Sequence, residues 1–248
     1  MRNIYTKKQY LDNLYRVKCP RCGFSLDSIF WAFEFDFEDF EDLEWHFHSL
    51  KKDIQETPFL VLKNDLANQT FRLLENISQS VSMKTIDIKL FRGRTLTDEI
   101  EVSKLLAPPK SKTNEGRYNH LGVPVIYAST NKKTCYYELR KPEKNLYIAE
   151  FHIKENLKLL DLINLEEYKD SELLKAIVIS SVVSSKANDN TKYKPEYYFT
   201  RFISDCCKYL KFDGIIYPSV QIGFGENYVL FNTDLLKEES IIKIEEYK

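Results

Sequence analysis

The stretch that decides the fold runs from Asn114 to Arg140 and reads NEGRYNHLGVPVIYASTNKKTCYYELR. Its first part is polar and contains glycines, which predicts a loop. The apolar run from Val123 to Tyr127 predicts a buried strand, and the residues after it predict a helix that carries Glu138. This part of the chain is therefore expected to form a loop, a strand and a helix in succession.

Polar side chains lie at the ends of this predicted strand. Arg117 and Asn119 belong to the loop before it, while Tyr127 and Ser129 end it. Together with Glu138 they are expected to converge at one strand end, where pockets commonly form. An arginine near a single carboxylate indicates a pocket for an anionic ligand with one acidic group in it.

Composition narrows the class of protein. A chain of 248 residues allows one large domain or two small ones, and 43% hydrophobic with 29% charged residues is typical of a soluble globular protein. A net charge of −1 argues against direct nucleic-acid binding. The apolar runs are too short for a signal peptide or a membrane span, and the five cysteines form no disulfide framework. We therefore expect a cytoplasmic protein without a membrane partner.

The two parts of the chain differ in pattern. Residues 1–85 predict an all-helical domain, and from Ile86 onward strand-like runs alternate with helical ones, which places a second domain at 86–248. The predicted fold class is α+β, with helices first and a β-sheet flanked by helices after them. The predicted helices of the first domain are Tyr5–Arg16, Ser25–Lys51 and Asn64–Ser80.

Two features of the first domain have alternative interpretations. Cys19 and Cys22 form a C-x-x-C pair, but the remaining ligands of a tetrahedral zinc site are not evident, so a turn with two reduced cysteines is favoured over zinc. The predicted helix Ser25–Lys51 has an aromatic face and acidic faces opposite. A solvated face of a core helix is favoured there over a docking surface for a basic partner.

The second domain begins with a predicted strand, Asp87–Arg94, that places Ile88, Leu90 and Arg92 on one face. A buried arginine is costly unless it meets an anion. Arg92 is therefore a candidate anion ligand, with a solvent-facing position as the alternative.

Further elements follow the central stretch. Ser219 lies in a turn after Pro218, and Asn227 precedes the predicted closing strand. Dinucleotide-binding, Walker, nucleophile-elbow and zinc-protease motifs are missing. The predicted strands are Leu146–Ile153, Leu157–Leu162, Ile215–Tyr217, Tyr228–Phe231 and Ile241–Ile244, and the predicted helices are Ser171–Ser181 and Glu196–Leu210.

Five segments in this order resemble the RES-domain family, which is best known for bacterial toxins that degrade NAD. They are LFRGR, EGRYNHLGVPVIYAS, CYYELR, FDGIIYPS and ENYVLF, within about residues 86–233. The chain departs from the family pattern at Glu115, where a glycine is common, at Tyr118, where a tryptophan is common, and at Cys135, where an alanine is usual. The resemblance implies an ADP-ribosyltransferase-like split β-sheet that holds NAD+ in a cleft.

The resemblance also implies roles for the polar residues. The catalytic residues would be Arg92, Glu138 and Ser219, and the NAD+-binding residues would be Arg117, Asn119, Tyr127, Ser129 and Asn227. Within that set Glu138 would stabilise an oxocarbenium-like transition state, and Arg92 and Arg117 would hold the pyrophosphate. No metal is implied for this site.

The implied activity is cleavage of the ribose–nicotinamide bond of NAD+, with phosphate or water as acceptor. The alternatives are ADP-ribosylation of a protein and a catalytically silent interaction module. The family implies an antitoxin or regulatory protein as partner. The N-terminal segment resembles HEPN-like extensions of some RES domains, but the arginine–histidine spacing of their nucleases is missing, so no nuclease activity is expected.

Overall fold

The computed structural model describes residues 43–96, 100–143, 145–165, 168, 174–175, 197–219 and 225–247. The chain divides into two compact units, Met1–Trp45 and His46–Lys248. The predictions for Tyr5–Arg16, for the C-x-x-C pair and for most of Ser25–Lys51 and Ser171–Ser181 lie outside the described residues. The HEPN-like resemblance also falls largely there.

The described residues contain five α-helices and seven strands. The helices are α1 (Leu43–Glu56), α2 (Asp65–Ser80), α3 (Val102–Leu105), α4 (Lys132–Glu138) and α5 (Tyr198–Tyr209). The strands are β1 (Lys84–Thr95), β2 (Ile126–Ser129), β3 (Leu146–Leu157), β4 (Leu159–Asp161), β5 (Gly214–Pro218), β6 (Glu226–Leu230) and β7 (Ile241–Glu246). Short 3-10 helices lie at Pro58–Lys63, Lys110–Lys112, Thr233–Leu235 and Glu238–Ser240.

Helix α2 confirms the helix predicted at Asn64–Ser80. Asn64 is its N-cap, and the Asn64 side chain accepts hydrogen bonds from the backbone N–H groups of Leu66 and Ala67. Such a cap satisfies donors that have no partner within the helix. Leu66, Leu73, Leu74 and Ile77 recur on one face and are buried, as the spacing of the apolar residues predicts.

The strands within the described residues form one mixed sheet in the order β4-β5-β6-β2-β1-β3-β7. Strands β4 and β5 are parallel, and the other neighbours are antiparallel. The longest ladder joins β1 and β3, from the pair Lys84–Leu157 to the pair Thr95–Leu146. Strands β1 and β2 meet through the pair Phe91–Ser129. The predicted α+β class is confirmed, and the two parts of the sheet meet at that pair.

The strand predicted at Val123–Tyr127 is displaced. The observed strand is Ile126–Ser129, so Tyr127 and Ser129 lie within it. Pro124 has no N–H to donate to a ladder, and the N–H of Val123 donates instead to the carbonyl of His120 in a turn. Gly122 has a φ of 74° at this turn, a conformation that glycine adopts without steric cost.

The other predicted strands and the helix predicted at Glu196–Leu210 are confirmed with shifted ends. The largest changes are in β1 and β3, which extend to Lys84 and Leu157 along their shared ladder.

The largest core cluster packs helices against one face of the sheet. Leu66 and Leu74 of α2 lie in the same buried cluster as Leu160, Phe202 of α5 and Ile215. A second cluster on β1, β2 and β3 includes Leu90, Ile126 and Phe151. Residues from both sides of the predicted boundary at 85/86 thus share one core, and that boundary stays a prediction.

No helix within the described part of the chain is both long and apolar enough to span a membrane.

Candidate active site

Four of the predicted site residues form one hydrogen-bonded cluster. Ser219 donates from Oγ to Oε1 of Glu138 at 2.7 Å, and Asn227 donates from Nδ2 to the same oxygen at 2.9 Å. Ser129 donates from Oγ to Oδ1 of Asn227 at 2.6 Å. Both bonds to Glu138 end on Oε1, and none from a described residue ends on Oε2. The carboxylate is therefore held on one side.

Strand register and helix caps place these four residues. Ser129 of β2 lies opposite Asn227 of β6 in the ladder, so the two side chains point to the same face. Ser219 follows β5, and its N–H donates to the carbonyl of Gly225. Helix α4 begins after Asn131, whose side chain caps Thr134, and ends at Glu138. Three strands and one short helix thus bring together groups that are far apart in the sequence.

Arg92 is 3% exposed, so the alternative that it faces solvent is wrong. Its guanidinium donates to three backbone carbonyls: from Nε to Leu105 at 2.8 Å, from Nη1 to Tyr127 at 2.9 Å and from Nη2 to Leu106 at 3.3 Å. Burial lowers the pKa of Arg92 to about 9, which leaves the group cationic at neutral pH. Three of its five N–H donors therefore hold the backbone around the site.

Tyr127 holds the loop that carries Asn119. The Tyr127 hydroxyl donates to Oδ1 of Asn119 at 3.0 Å and accepts from the N–H of Tyr118 at 2.8 Å. Burial raises the pKa of Tyr127, so the hydroxyl stays protonated. The amide of Asn119 also donates to the carbonyls of Asn114 and His120. Tyr127 and Asn119 therefore fix the shape of the loop on either side of Arg117.

Gly116 is required by the close packing of this loop. A Cβ at this position would lie 2.5 Å from Oδ1 of Asn119 and 2.8 Å from the hydroxyl of Tyr127. Both are too close for an ordinary contact, so a larger residue would displace the hydrogen-bonded side chains of Asn119 and Tyr127.

Arg117 lies between two tyrosine rings. Its guanidinium carbon is 5.7 Å from the ring centroid of Tyr197 and 5.8 Å from that of Tyr217, within the range of cation–π attraction. Burial by itself lowers the pKa of Arg117, but Tyr217, Tyr118 and the carboxylate of Glu138 outweigh it and raise the pKa. Arg117 and Glu138 thus interact electrostatically within one site.

Helix α5 contributes residues that sequence reasoning missed. Arg201 forms an ion pair from Nη1 to Oε2 of Glu115 at 3.0 Å and donates from Nε to the carbonyl of Gly116 at 2.9 Å. Thr200 donates to the carbonyl of Arg117 at 2.5 Å, and Ser204 donates to that of Tyr118 at 2.7 Å. No local motif marks these residues, because their partners are mostly backbone carbonyls about 85 residues away.

Cys135 lies on helix α4, three residues before Glu138, and is buried. Its thiol donates to the carbonyl of Phe91 at 3.0 Å. Burial raises the pKa of Cys135 to about 11, although a hydrogen bond with Ser129 acts in the opposite direction. The side chain therefore stays a neutral thiol near Ser129.

Within the described ranges, no group of three or more His, Cys, Asp and Glu side chains could hold a metal ion. Cys19 and Cys22, the zinc candidates, lie outside those ranges.

This chain is similar to known proteins to different extents. A crystal structure described as the M. tuberculosis MbcT-MbcA toxin-antitoxin complex matches with a TM-score of 0.47 and 12% identity, over 70% of this chain and 91% of that chain. A search of curated proteins found no match. The family model of the RES domain matches residues 94–248, which include Glu138, Ser219 and Asn227. The chain belongs to the RES-domain family.

Proposed function

We propose that this protein consumes NAD+ by cleaving the bond between nicotinamide and its ribose. The observation that supports this most directly is the arrangement around Glu138. Ser219 and Asn227 hold Oε1 by hydrogen bonds, which fixes the carboxylate and leaves Oε2 for a ligand. A carboxylate held in place can stabilise the oxocarbenium-like transition state through which a glycosidic bond is cleaved.

The chemistry follows from the charge that develops during the reaction. As nicotinamide leaves, its ring nitrogen takes the bonding electron pair, and the ribose becomes an oxocarbenium-like cation. An oxygen of water or phosphate then forms the new bond to the same ribose carbon, with loss of a proton where the acceptor is water. Glu138 stabilises that cation, and its Oε2 accepts a hydrogen bond from a ribose hydroxyl. Because Ser219 and Asn227 orient the carboxylate beforehand, the stabilisation needs little reorganisation in the transition state.

Arg117 supplies the positive charge for the pyrophosphate of NAD+. It is cationic, lies between two tyrosine rings and interacts electrostatically with Glu138. A guanidinium is suited to phosphate oxygens because it presents planar donors at a fixed spacing. Arg92 adds positive charge from β1, while three of its N–H donors hold backbone carbonyls. Tyr127 and Asn119 hold the Arg117 loop, and Ser129 orients Asn227.

The biological role that we propose is a bacterial toxin or defence enzyme, kept in check by an antitoxin or regulatory protein. This part of the proposal is supported by membership of the RES-domain family. It predicts that wild-type protein lowers cellular NAD+ and arrests growth when expressed alone, whereas a Glu138→Gln variant does neither.

The decisive experiment is incubation of purified protein with NAD+, with and without phosphate, and with separation of the products. Release of nicotinamide with ADP-ribose indicates hydrolysis, and a phosphorylated ADP-ribose that forms only with phosphate indicates phosphorolysis. Transfer of label from NAD+ to protein in a lysate would indicate ADP-ribosylation instead. If NAD+ is not consumed and no protein is labelled, the enzymatic proposal is wrong.

A further inference from the structure

Helix α5 holds the Arg117 loop by its backbone. Thr200, Arg201 and Ser204 donate to the carbonyls of three consecutive residues, 116 to 118. All three side chains are buried, with residue exposures of 3% or less. The loop therefore cannot move away from α5 without breaking three buried hydrogen bonds, and each carbonyl left unpaired would be destabilising.

Arg201 also neutralises a negative charge next to the Arg117 loop. It pairs with Glu115, which stands two positions before Arg117 and would otherwise place a negative charge beside a site for an anion. The guanidinium carbons of Arg201 and Arg117 lie 5.8 Å and 5.7 Å from the same ring, that of Tyr197. Arg201 and Arg117 thus contact the same ring, which places the charges of the Arg201–Glu115 pair near Arg117.

Arg201 is also held at an energetic cost. Its side chain is 4% exposed, and Nη2 has no hydrogen-bond partner among the described residues. A buried unpaired donor is destabilising, and pairing of buried charges is seldom a net gain in stability. A stabilising role therefore explains an arginine at position 201 poorly. A role in the neighbouring Arg117 loop explains it directly.

We propose that Arg201 is a positioning residue for the anion site: it neutralises Glu115 and holds the backbone beside Arg117, so that a pyrophosphate group can bind there. This inference rests on the proposed role of Arg117 as the ligand of the NAD+ pyrophosphate. It adds a residue from α5 that contacts the loop rather than the substrate.

The test is a double-mutant cycle with inorganic pyrophosphate as the probe, its affinity measured by calorimetry. Arg201→Gln leaves Glu115 unneutralised, and we expect the Kd for pyrophosphate to rise on the order of fivefold or more, as for one added charge several ångströms from the ligand. Glu115→Gln should bind at least as well as wild type. The double variant Glu115→Gln/Arg201→Gln should recover much of the lost affinity.

This recovery separates the proposal from a purely structural role. If Arg201 served stability only, the double variant would bind no better than Arg201→Gln, and that result would overturn the proposal. Arg201→Lys keeps the charge that neutralises Glu115 but loses the Nε donor to the carbonyl of Gly116, so its Kd should lie between those of wild type and Arg201→Gln. Even where Arg201→Gln does not fold, a folded Arg201→Lys protein whose Kd rises on the order of fivefold or more would overturn the role of charge neutralisation, because the ammonium group still neutralises Glu115.

Kinetics with NAD+ give a second readout. Arg201→Gln should raise KM more than it lowers kcat, because the site loses binding of a group remote from the reacting bond. The matched control is Arg72→Gln on the exposed side of α2, which should change neither value. A fall in kcat with unchanged KM in Arg201→Gln would contradict a positioning role at the pyrophosphate.

The outcomes distinguish this inference from the proposed function. If wild type and the variants bind pyrophosphate with the expected relative affinities but wild type does not consume NAD+, the role of Arg201 stands and the enzymatic proposal fails. If wild-type protein does not bind pyrophosphate, the role of Arg201 is refuted whether or not NAD+ is consumed.

Discussion

Asn227 donates a hydrogen bond of 2.9 Å from Nδ2 to Oε1 of Glu138, across 89 residues of sequence. Its other amide atom, Oδ1, accepts from Ser129 at 2.6 Å. Because one end of the amide donates and the other accepts, these two bonds define its orientation. The Glu138 carboxylate is therefore held through a chain of side chains that begins on β2.

Replacing Glu138 by glutamine tests the carboxylate itself. The variant keeps the size of the side chain but removes the negative charge, so the oxocarbenium-like transition state loses its stabilisation. We expect kcat for NAD+ cleavage to fall on the order of 100-fold, or about 3 kcal/mol, with a small change in KM. The melting temperature should confirm that the variant is folded. Full activity in a folded variant would refute the role of Glu138.

Replacing Asn227 by alanine tests the support of that carboxylate. Ser129 and Glu138 each lose a hydrogen-bond partner at a residue that is 2% exposed. The free energy of unfolding should fall by about 1–3 kcal/mol, and kcat should fall as well because the carboxylate is less well oriented. Denaturant unfolding and NAD+ turnover measure the two effects. Asn156→Ala, on the exposed part of β3, is the control and should change neither by much.

Replacing Arg92 by lysine tests whether the planar guanidinium is needed. A lysine keeps the charge, but a single ammonium group cannot reach the carbonyls of Leu105, Leu106 and Tyr127 with the same fork of donors. We expect a loss of about 2–4 kcal/mol in the free energy of unfolding, since hydrogen bonds to charged groups each contribute about 1.5–3 kcal/mol. The exposed Arg72→Lys is the matched control. An Arg92→Lys protein as stable as that control would contradict this role.

The buried thiol of Cys135 predicts a pH dependence of stability. Its pKa is raised by burial to about 11 in the folded protein, against an ordinary value of 9.0. Between these values the unfolded chain loses the thiol proton and the folded protein keeps it, so stability is highest below pH 9 and falls as the pH rises toward 11. The loss from this group is at most about 2–3 kcal/mol.

Cys135→Ala isolates that contribution, because other buried groups such as Cys206, whose burial raises its pKa to about 12, titrate in both proteins. The difference in unfolding free energy between wild type and Cys135→Ala should narrow or reverse from pH 8 to pH 11. A constant difference over that range would show that the folded protein does not raise the pKa of this thiol.

Replacing Leu74 by alanine tests the core that α2 shares with the sheet. Leu74 is fully buried in the cluster that also contains Leu160 and Phe202. We expect a loss of about 2–5 kcal/mol from the removed methyl groups and the remaining cavity. The transition should stay a single one if α2 and the sheet unfold together. Two separate transitions would instead support a domain boundary near residue 86.

Local pattern places Glu138 near a helix end and Ser219 at a strand end, but the set Ser129, Glu138, Ser219 and Asn227 is predicted as one site only through the resemblance to the RES-domain family. Glu138 follows a strand and a helix cap, and Ser219 follows a proline at a strand end. The start of β2 was misplaced because the valine and proline at 123 and 124 are apolar, yet the proline cannot donate to a ladder. Arg201 was missed because a helical arginine is ordinarily solvated, and its partners, the carbonyl of Gly116 and the side chain of Glu115, lie about 85 residues away in the sequence.

The strand order has a consequence for the timing of activity during synthesis. The hydrogen bonds that fix Glu138 and Ser129 span 81 to 98 residues of chain, so local folding of the helix and strand that carry them cannot complete the site. Long-range pairings of this kind form late because chain entropy must be lost first. A nascent chain that ends before β6 therefore lacks an organised carboxylate, and the proposed cleavage of NAD+ can begin only after residue 227 has folded against β2.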